Sequence, residues 1–264
     1  MPTSPSARVP STEIRVERAV PADAEKIAEG LYLIFPEDWW AIKEPLALRP
    51  ATPEIRQSRL AKRILPTLSL PNMHWIKAVH VPTSSIIGIA GWGGPGLEPR
   101  NIFSRSTAEF YGWKEEYGWS DEEVEDMWAH TDMENWDRKF EKDDKTRIEV
   151  VGEGTPHWYL APLMIWPGWQ GKGVGKLLLN WAIEQADAET PSTTMYLESM
   201  PYARAVYMHV GFEPVGEYHF IRKGPKVVRG LEAEEEETKK EQENENENEK
   251  EVQVDVEEVR KEVK

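Results

Sequence analysis

The chain has 264 residues, 39% of them apolar, with 12 tryptophans and no cysteine, enough for a sizeable core but not for a disulfide, a thiolate metal site or a cysteine nucleophile. Its net charge of −15 is uneven: residues 231–264 carry fifteen acidic and six basic side chains, a net of −9, which leaves −6 for the rest. A mildly acidic body argues against a nucleic-acid partner, and the absence of any 18-residue apolar run argues against a membrane span.

Residues 1–11 are rich in proline and serine and read as a flexible lead-in. The opening MPTSPSARVPSTEIRVERA has no apolar core segment, so no secretory signal is expected there and a cytoplasmic location is the default. Glu13–Ala19 alternates as a first strand. From Asp23 to Phe35, Ala24, Ile27, Leu31 and Ile34 share one helical face, with Pro21 ahead of it and Pro36 as the stop. Thr52-Pro53-Glu54 starts a second helix that runs to about Leu65.

Trp75–Val81 and Ser85–Trp92 are β-rich runs joined by Pro82-Thr83-Ser84 and predict a hairpin. Arg100–Gly154 is polar, aromatic and helix-prone, with a capping box at Ser120 and Glu123. Val124, Met127, Trp128, Trp136 and Phe140 follow at helical spacing, which fits one or two surface helices on the sheet or a substrate lid. Trp158–Ile165 is an apolar run of strand length. A glycine-rich loop follows it, then a helix with Val174, Leu177, Leu178, Trp181 and Ala182 on one face. Met195–Glu198 predicts a short buried strand, Ala203–Val210 a helix stopped by Gly211, and Glu217–Arg222 a last strand.

The expected order is β-α-α-β-β-(helical insert)-β-α-β-α-β, an α/β domain over 12–230 with a helical insertion at about 93–156. Residues 231–264 are low-complexity and charged, and read as an acidic disordered tail. Val256, Val259 and Val263 leave room in it for a transient helix or a partner contact.

The loop WPGWQGKGVGKLLL, Trp166–Leu179, has the composition of a phosphate cradle. A nucleotide P-loop needs G-x-x-x-x-G-K-[ST]; aligned on Gly175-Lys176, the first glycine is Gln170 and the metal-binding hydroxyl is Leu177. The dinucleotide fingerprint G-x-G-x-x-G fails in either frame, with Lys176 or Leu178 in the last glycine slot. Gln170-Gly171-Lys172-Gly173-Val174-Gly175 does satisfy Q/R-x-x-G-x-G/A, and glycines ahead of a helix N-terminus suit a pyrophosphate.

That motif resembles the acyl-CoA loop of the GCN-five-related N-acetyltransferase (GNAT) superfamily. Leu160, Leu163, Ile165, Pro167, Trp169 and Gln170 follow the family's approach to the loop, and Tyr207–Phe212 (YMHVGF) is similar to its L-Y-x-x-x-G-F segment. The texture, YLESMP at Tyr196–Pro201 included, looks most like the fungal members. The resemblance covers about residues 13–223. It implies a mixed central sheet flanked by helices, with strands splayed at the acyl-CoA loop.

It also implies the site. Acetyl-CoA is the expected cofactor. It is held by the backbone of Leu163, Met164 and Ile165 and by Gln170, Gly171, Lys172, Gly173, Val174, Gly175 and Lys176, with Gln170 either on the phosphate or ordering the loop. Ile165 marks the place of a backbone N–H that polarises the thioester carbonyl. Tyr207 matches the family tyrosine that protonates the thiolate.

Glu198, ending its strand beside the acyl site, is the candidate base, and His157 is the other. Ser199 is a candidate contact for the pantetheine or the substrate. The family asparagine seven residues before the tyrosine is Met200 here, so that contact is absent or replaced. No histidine spacing suggests a metal.

The expected activity is acetyl transfer to an amine of a small molecule or a protein by direct attack in a ternary complex. A non-catalytic acyl-CoA-binding module with an acidic interaction tail is the alternative. Trp39, Trp40, Trp92, Trp113 and Trp128 are candidates for the acceptor pocket or for aromatic core. Oligomeric state is not legible.

Overall fold

Apolar residues in this chain fall on two sides of one sheet, and the helices divide between those sides accordingly. The computed structural model describes residues 8–225. The expected acidic tail and its valine-spaced segment lie outside the described residues. The strands are β1 (Ile14–Arg18), β2 (Met73–His80), β3 (Ser85–Gly93), β4 (His157–Ile165), β5 (Thr194–Glu198), β6 (Glu213–Val215) and β7 (His219–Arg222). They form a seven-stranded mixed sheet in the order β1-β2-β3-β4-β5-β7-β6. All neighbours are antiparallel except β4 and β5, which run parallel through the crossover between them.

The helices are α1 (Ala24–Ile34), α2 (Glu37–Lys43), α3 (Pro53–Ile64), α4 (Arg105–Phe110), α5 (Trp113–Glu116), α6 (Asp121–Trp128), α7 (Met133–Val151), α8 (Val174–Ala188) and α9 (Arg204–His209). On one side of the sheet α8 buries Val174, Leu178, Leu179, Ala182, Ile183 and Ala186 against Ile76, Ile87, Ala90, Trp92, Trp158 and Leu197. On the other, α1, α3 and the insert helices enclose Ile27, Leu31, Leu60, Ile64, Trp75, Ile89, Trp128, Trp136 and Met164.

The strands and long helices expected from periodicity are present within a few residues of their expected ends. The 93–156 insert holds four helices rather than one or two, and it is not a surface layer: Trp113, Met127, Trp128, Trp136 and Phe140 are all buried. Its polar composition reflects one narrow apolar stripe per helix, with charged residues covering the remaining turns. Two short elements escape the sequence pattern. Pro36 ends α1 but also stands before α2 as its N-cap, and the three-residue β6 is too short to show a period.

A buried charge cluster ties the second layer together. The Glu44 carboxylate, fully buried after α2, accepts from Arg56 Nε (2.9 Å) and Nη2 (2.5 Å) and from the Tyr32 hydroxyl (3.0 Å). His130 Nε2 lies 3.4 Å and Arg63 Nη2 3.8 Å from the same group. One carboxylate thus links α1, α3 and the α6–α7 turn. No helix of the described residues is long and apolar enough to cross a membrane.

Candidate active site

β4 pairs β5 only from His157↔Thr194 to Leu160↔Leu197; beyond that it runs on to Ile165 beside β3 alone. The parting coincides with Pro162, which has no N–H to offer a neighbour, and with a register shift against β3 between Ala90 and Trp92. Gly91 stands at the shift, where a Cβ would lie 2.5 Å from the Ala161 carbonyl oxygen. The shift exchanges the faces: Leu160 packs in the α8 layer, and after it Leu163 and Ile165 pack there while Met164 enters the opposite core. The Trp166 N–H donates to the Ile87 carbonyl (3.0 Å). Antiparallel alternation then turns the backbone of Met164 toward Ile89, and that of Leu163 and Ile165 into the gap that β5 has left.

The glycine loop closes one end of this gap. Gln170 Nε2 donates to the Ile165 carbonyl (3.0 Å), so its side chain ties the loop back to the strand. Gly171 and Gly173 adopt φ +72° and +92°, and a Cβ on either would meet nothing within 4 Å, so their backbone borders open space. Gly173 precedes α8 and supplies no side-chain cap. The first intrahelical bond runs from Leu177 N–H to the Gly173 carbonyl (3.4 Å), which leaves the N–H groups of Val174, Gly175 and Lys176 without helical partners.

Val174 itself packs inward, and Gly175 lies over Ile165 and Leu163. Lys176 is exposed; the Lys172 ammonium rests 5.3 Å from the centre of the Trp169 ring. Arg8 and Val9 also line this end, with Val9 N–H donating to the Lys172 carbonyl (3.4 Å). Nothing in the proline- and serine-rich lead-in signals that placement.

A cavity of about 1320 Å³ passes through the gap and joins the two layers. The loop, Leu163 and Ile165 line it, as do Glu198, Ser199, Met200 and Tyr207. Tyr207 reaches it from the α8 side, where its buried ring packs with Phe212 and Phe220. Burial holds the phenol's pKa well above its ordinary value. Ser199 donates its hydroxyl hydrogen to the Met200 carbonyl (2.9 Å).

Leu197 faces the α8 layer, so its strand neighbours Tyr196 and Glu198 face the insert. Glu198 is partly open to the cavity, yet its Oε1 is sealed and has no hydrogen-bond partner among the described residues. Burial pushes the carboxyl up to about 7, and the Asp143 carboxylate on α7 adds to the push. The Arg147 guanidinium and the Tyr159 and Tyr196 hydroxyls act in the opposite direction. Arg147 lies 4.0 Å from the centre of the Tyr159 ring and pairs with Asp144 (2.9 Å); the Tyr196 hydroxyl and His219 Nδ1 are 2.7 Å apart.

His157 is at the far end of β4, its Nδ1 2.8 Å from the Thr155 carbonyl oxygen, and does not line the cavity. The structure therefore brings Glu198 and Tyr207 to one cavity from opposite faces of the sheet and leaves His157 out. Of the five tryptophans considered, Trp39 and Trp40 line the cavity; Trp92 is in the α8 core, and Trp113 and Trp128 face a separate cavity within the insert.

Residues 140–229 match a family model described as an acetyltransferase (GNAT) domain. No curated protein matches. Among solved structures, an acetyltransferase from Corynebacterium glutamicum, described as histone acetyltransferase HPA2 and related acetyltransferase, is 21% identical. That likeness covers 81% of this chain and 98% of its own, at a TM-score of 0.48. A mosquito arylalkylamine N-acetyltransferase like 5b is 14% identical over 79% of this chain and 99% of its own, TM-score 0.49. A GNAT family acetyltransferase from Brucella melitensis, solved with acetyl-CoA, is 12% identical over 81% and 90%, TM-score 0.40. The glycine loop, the open edge of β4 and the Y-x-x-x-G-F segment all fall inside the stretch that matches the GNAT acetyltransferase domain model.

Proposed function

We propose that this protein is an acetyl-CoA-dependent N-acetyltransferase that acts on an amine by direct attack in a ternary complex. One observation carries the reading: a single cavity runs from the glycine loop, along the unpaired edge of β4, to a buried tyrosine on one side of the sheet and a carboxylate on the other.

The residues present fit the donor. The loop's backbone borders open space at Gly171 and Gly173, and three unpaired N–H groups at the α8 N-terminus suit a pyrophosphate. Lys172 and Lys176 add positive charge there. The outward backbone groups of Leu163 and Ile165 suit the amides of a pantetheine arm, laid as an extra strand edge. When bound, acetyl-CoA supplies the acyl group as a thioester.

The protein's own groups then handle protons. Glu198, poised near neutrality, takes the proton from the incoming ammonium so that the amine attacks as a free base. Tyr207 stays protonated at physiological pH and donates its phenolic hydrogen toward the leaving sulfur. With no cysteine in the chain, no covalent acyl-cysteine step is available.

The test is coenzyme A release over an amine panel, with Tyr207→Phe as control, alongside thermal unfolding with acetyl-CoA or ATP. Turnover of an amine, and protection by acetyl-CoA but not ATP, are expected. Tight acetyl-CoA binding with no turnover of any amine would convert the reading to a binding module.

A further inference from the structure

The acceptor end of the cavity has a composition of its own. Trp136, Phe140 and Asp143 follow one another on a single face of α7, at spacings of four and three residues, and all line the cavity. Phe35 and Trp39 face it from the other side, their rings 5.1 Å apart, and Trp39 meets Trp40 edge-on at 4.7 Å. Leu31, Leu60, Trp40 and Trp136, almost fully buried, back these rings, so the surface they form is apolar.

Charge is sparse and placed at one point. Among the described lining residues the carboxylates are Asp143 and Glu198, and Asp143 already accepts from Lys139. That leaves one carboxylate, Glu198, with a buried oxygen that has no partner. Lys139 and Lys142 are the neighbouring cations on α7.

We propose, on the acetyltransferase reading above, that the acceptor is a primary amine carrying one positive charge on an aromatic or bulky apolar body. Its ammonium pairs with Glu198 and its body lies against Phe35, Trp39 and Phe140. A polyamine carries further cations, for which the wall offers no free carboxylate and two lysines instead. An amino sugar would set its hydroxyls against Phe35, Trp39 and Phe140, ring faces that offer them no partner. A lysine in a peptide brings polar flanking backbone, for which the ring faces offer no hydrogen-bond partner.

The experiment compares kcat/KM for tryptamine, spermidine, glucosamine and a lysine-containing peptide with the full chain and saturating acetyl-CoA, and repeats it with Trp39→Ala. Tryptamine is expected to exceed each of the others at least tenfold. Trp39→Ala is expected to erase most of that lead by raising the KM for tryptamine, while the KM for acetyl-CoA stays as it was. A higher kcat/KM for spermidine, glucosamine or the peptide overturns the proposed acceptor class and leaves the acetyltransferase reading standing. An undiminished preference for tryptamine in Trp39→Ala overturns the assigned wall. Absence of turnover with all four, under conditions where acetyl-CoA protects against unfolding, overturns both.

Discussion

Glu44 and Glu198 are both buried glutamates on the insert side of the sheet, and their surroundings drive them apart. Burial alone would raise each carboxyl. At Glu44 His130, Arg63 and Arg56 more than offset it, and the pKa falls below the ordinary value. At Glu198 the Asp143 carboxylate adds to the push of burial, Arg147, Tyr159 and Tyr196 offset only part of it, and the pKa rises to about 7. The first is enclosed by donors and holds three helical segments together. The second has a sealed, unpartnered oxygen and faces the cavity. Burial by itself does not mark a reactive carboxylate; incomplete compensation by neighbouring donors and cations does.

Removing the carboxylate of Glu198 tests the reactive half most severely. Glu198→Gln is expected to lower kcat/KM by about 10²–10⁴, the usual range for a general base. In the native protein the pH profile of kcat/KM should break near 7, superimposed on the amine's own ionisation, because only ionised Glu198 accepts a proton. That break should vanish in the variant. Stability should move the other way. A raised carboxyl pKa stabilises the fold in its protonated form and loses that contribution as pH climbs from about 4.5 to about 7. Urea denaturation at pH 8 should therefore show Glu198→Gln no less stable than the native chain. A clear loss of stability there would mean that Glu198 is structural like Glu44.

Glu44→Gln tests the structural half. It leaves Arg63, and part of Arg56, buried without a counter-charge, so urea denaturation should show a loss of about 3–5 kcal/mol. The lowered carboxyl pKa contributes stability above the ordinary value and loses it as pH falls through the folded-state value. The difference between Glu44→Gln and the native chain should accordingly narrow on acidification. Tyr207→Phe comes next in size. About a hundredfold loss in kcat, the lower end for a general acid, is expected with the KM for acetyl-CoA unchanged, because water in so large a cavity can supply a proton in its place. An unchanged kcat would leave Tyr207 as a packing residue between Phe212 and Phe220.

The donor half of the cavity was legible because its signals are local. A loop that must approach a pyrophosphate needs glycines and a helix N-terminus within a few residues, and Gln170 through Lys176 spell that out. The splay was legible only by resemblance. The physical cause, Pro162 and the Gly91 shift, lies on two strands seventy residues apart in sequence, and no single window contains it. The acceptor wall was legible only in part: Trp39 and Trp40 stand among the pocket candidates, and the insert that carries Trp136 and Phe140 fits a substrate lid as well as surface helices. Trp136 and Phe140 follow a helical period that fits a core as well as a pocket, and Phe35 joins them from the end of α1, about a hundred residues away in sequence. Trp39 and Trp40 stand beside Trp92, Trp113 and Trp128 as equal candidates in the sequence, and burial sets apart only the half-buried Trp39. Its place at a strand end marks Glu198 in the sequence; the partners that tune it, Asp143, Arg147 and Tyr159, come from α7 and β4.

Asp143 gives the smallest and most discriminating test of the contrast between the two glutamates. Its carboxylate lines the same cavity as Glu198 and is one of the groups that raise the Glu198 carboxyl. Neutralising it in Asp143→Asn removes the part of the upward push that is electrostatic and keeps the part that is burial. The break in the kcat/KM profile should therefore move below 7 without disappearing, and the variant should be relatively more active than the native chain at the acid end. The Lys139 contact is also lost, but half of the lysine is in water, so unfolding should shift by about 1 kcal/mol or less. A break that stays near 7 would mean that desolvation alone sets the base, and that the insert contributes apolar surface rather than charge to the chemistry.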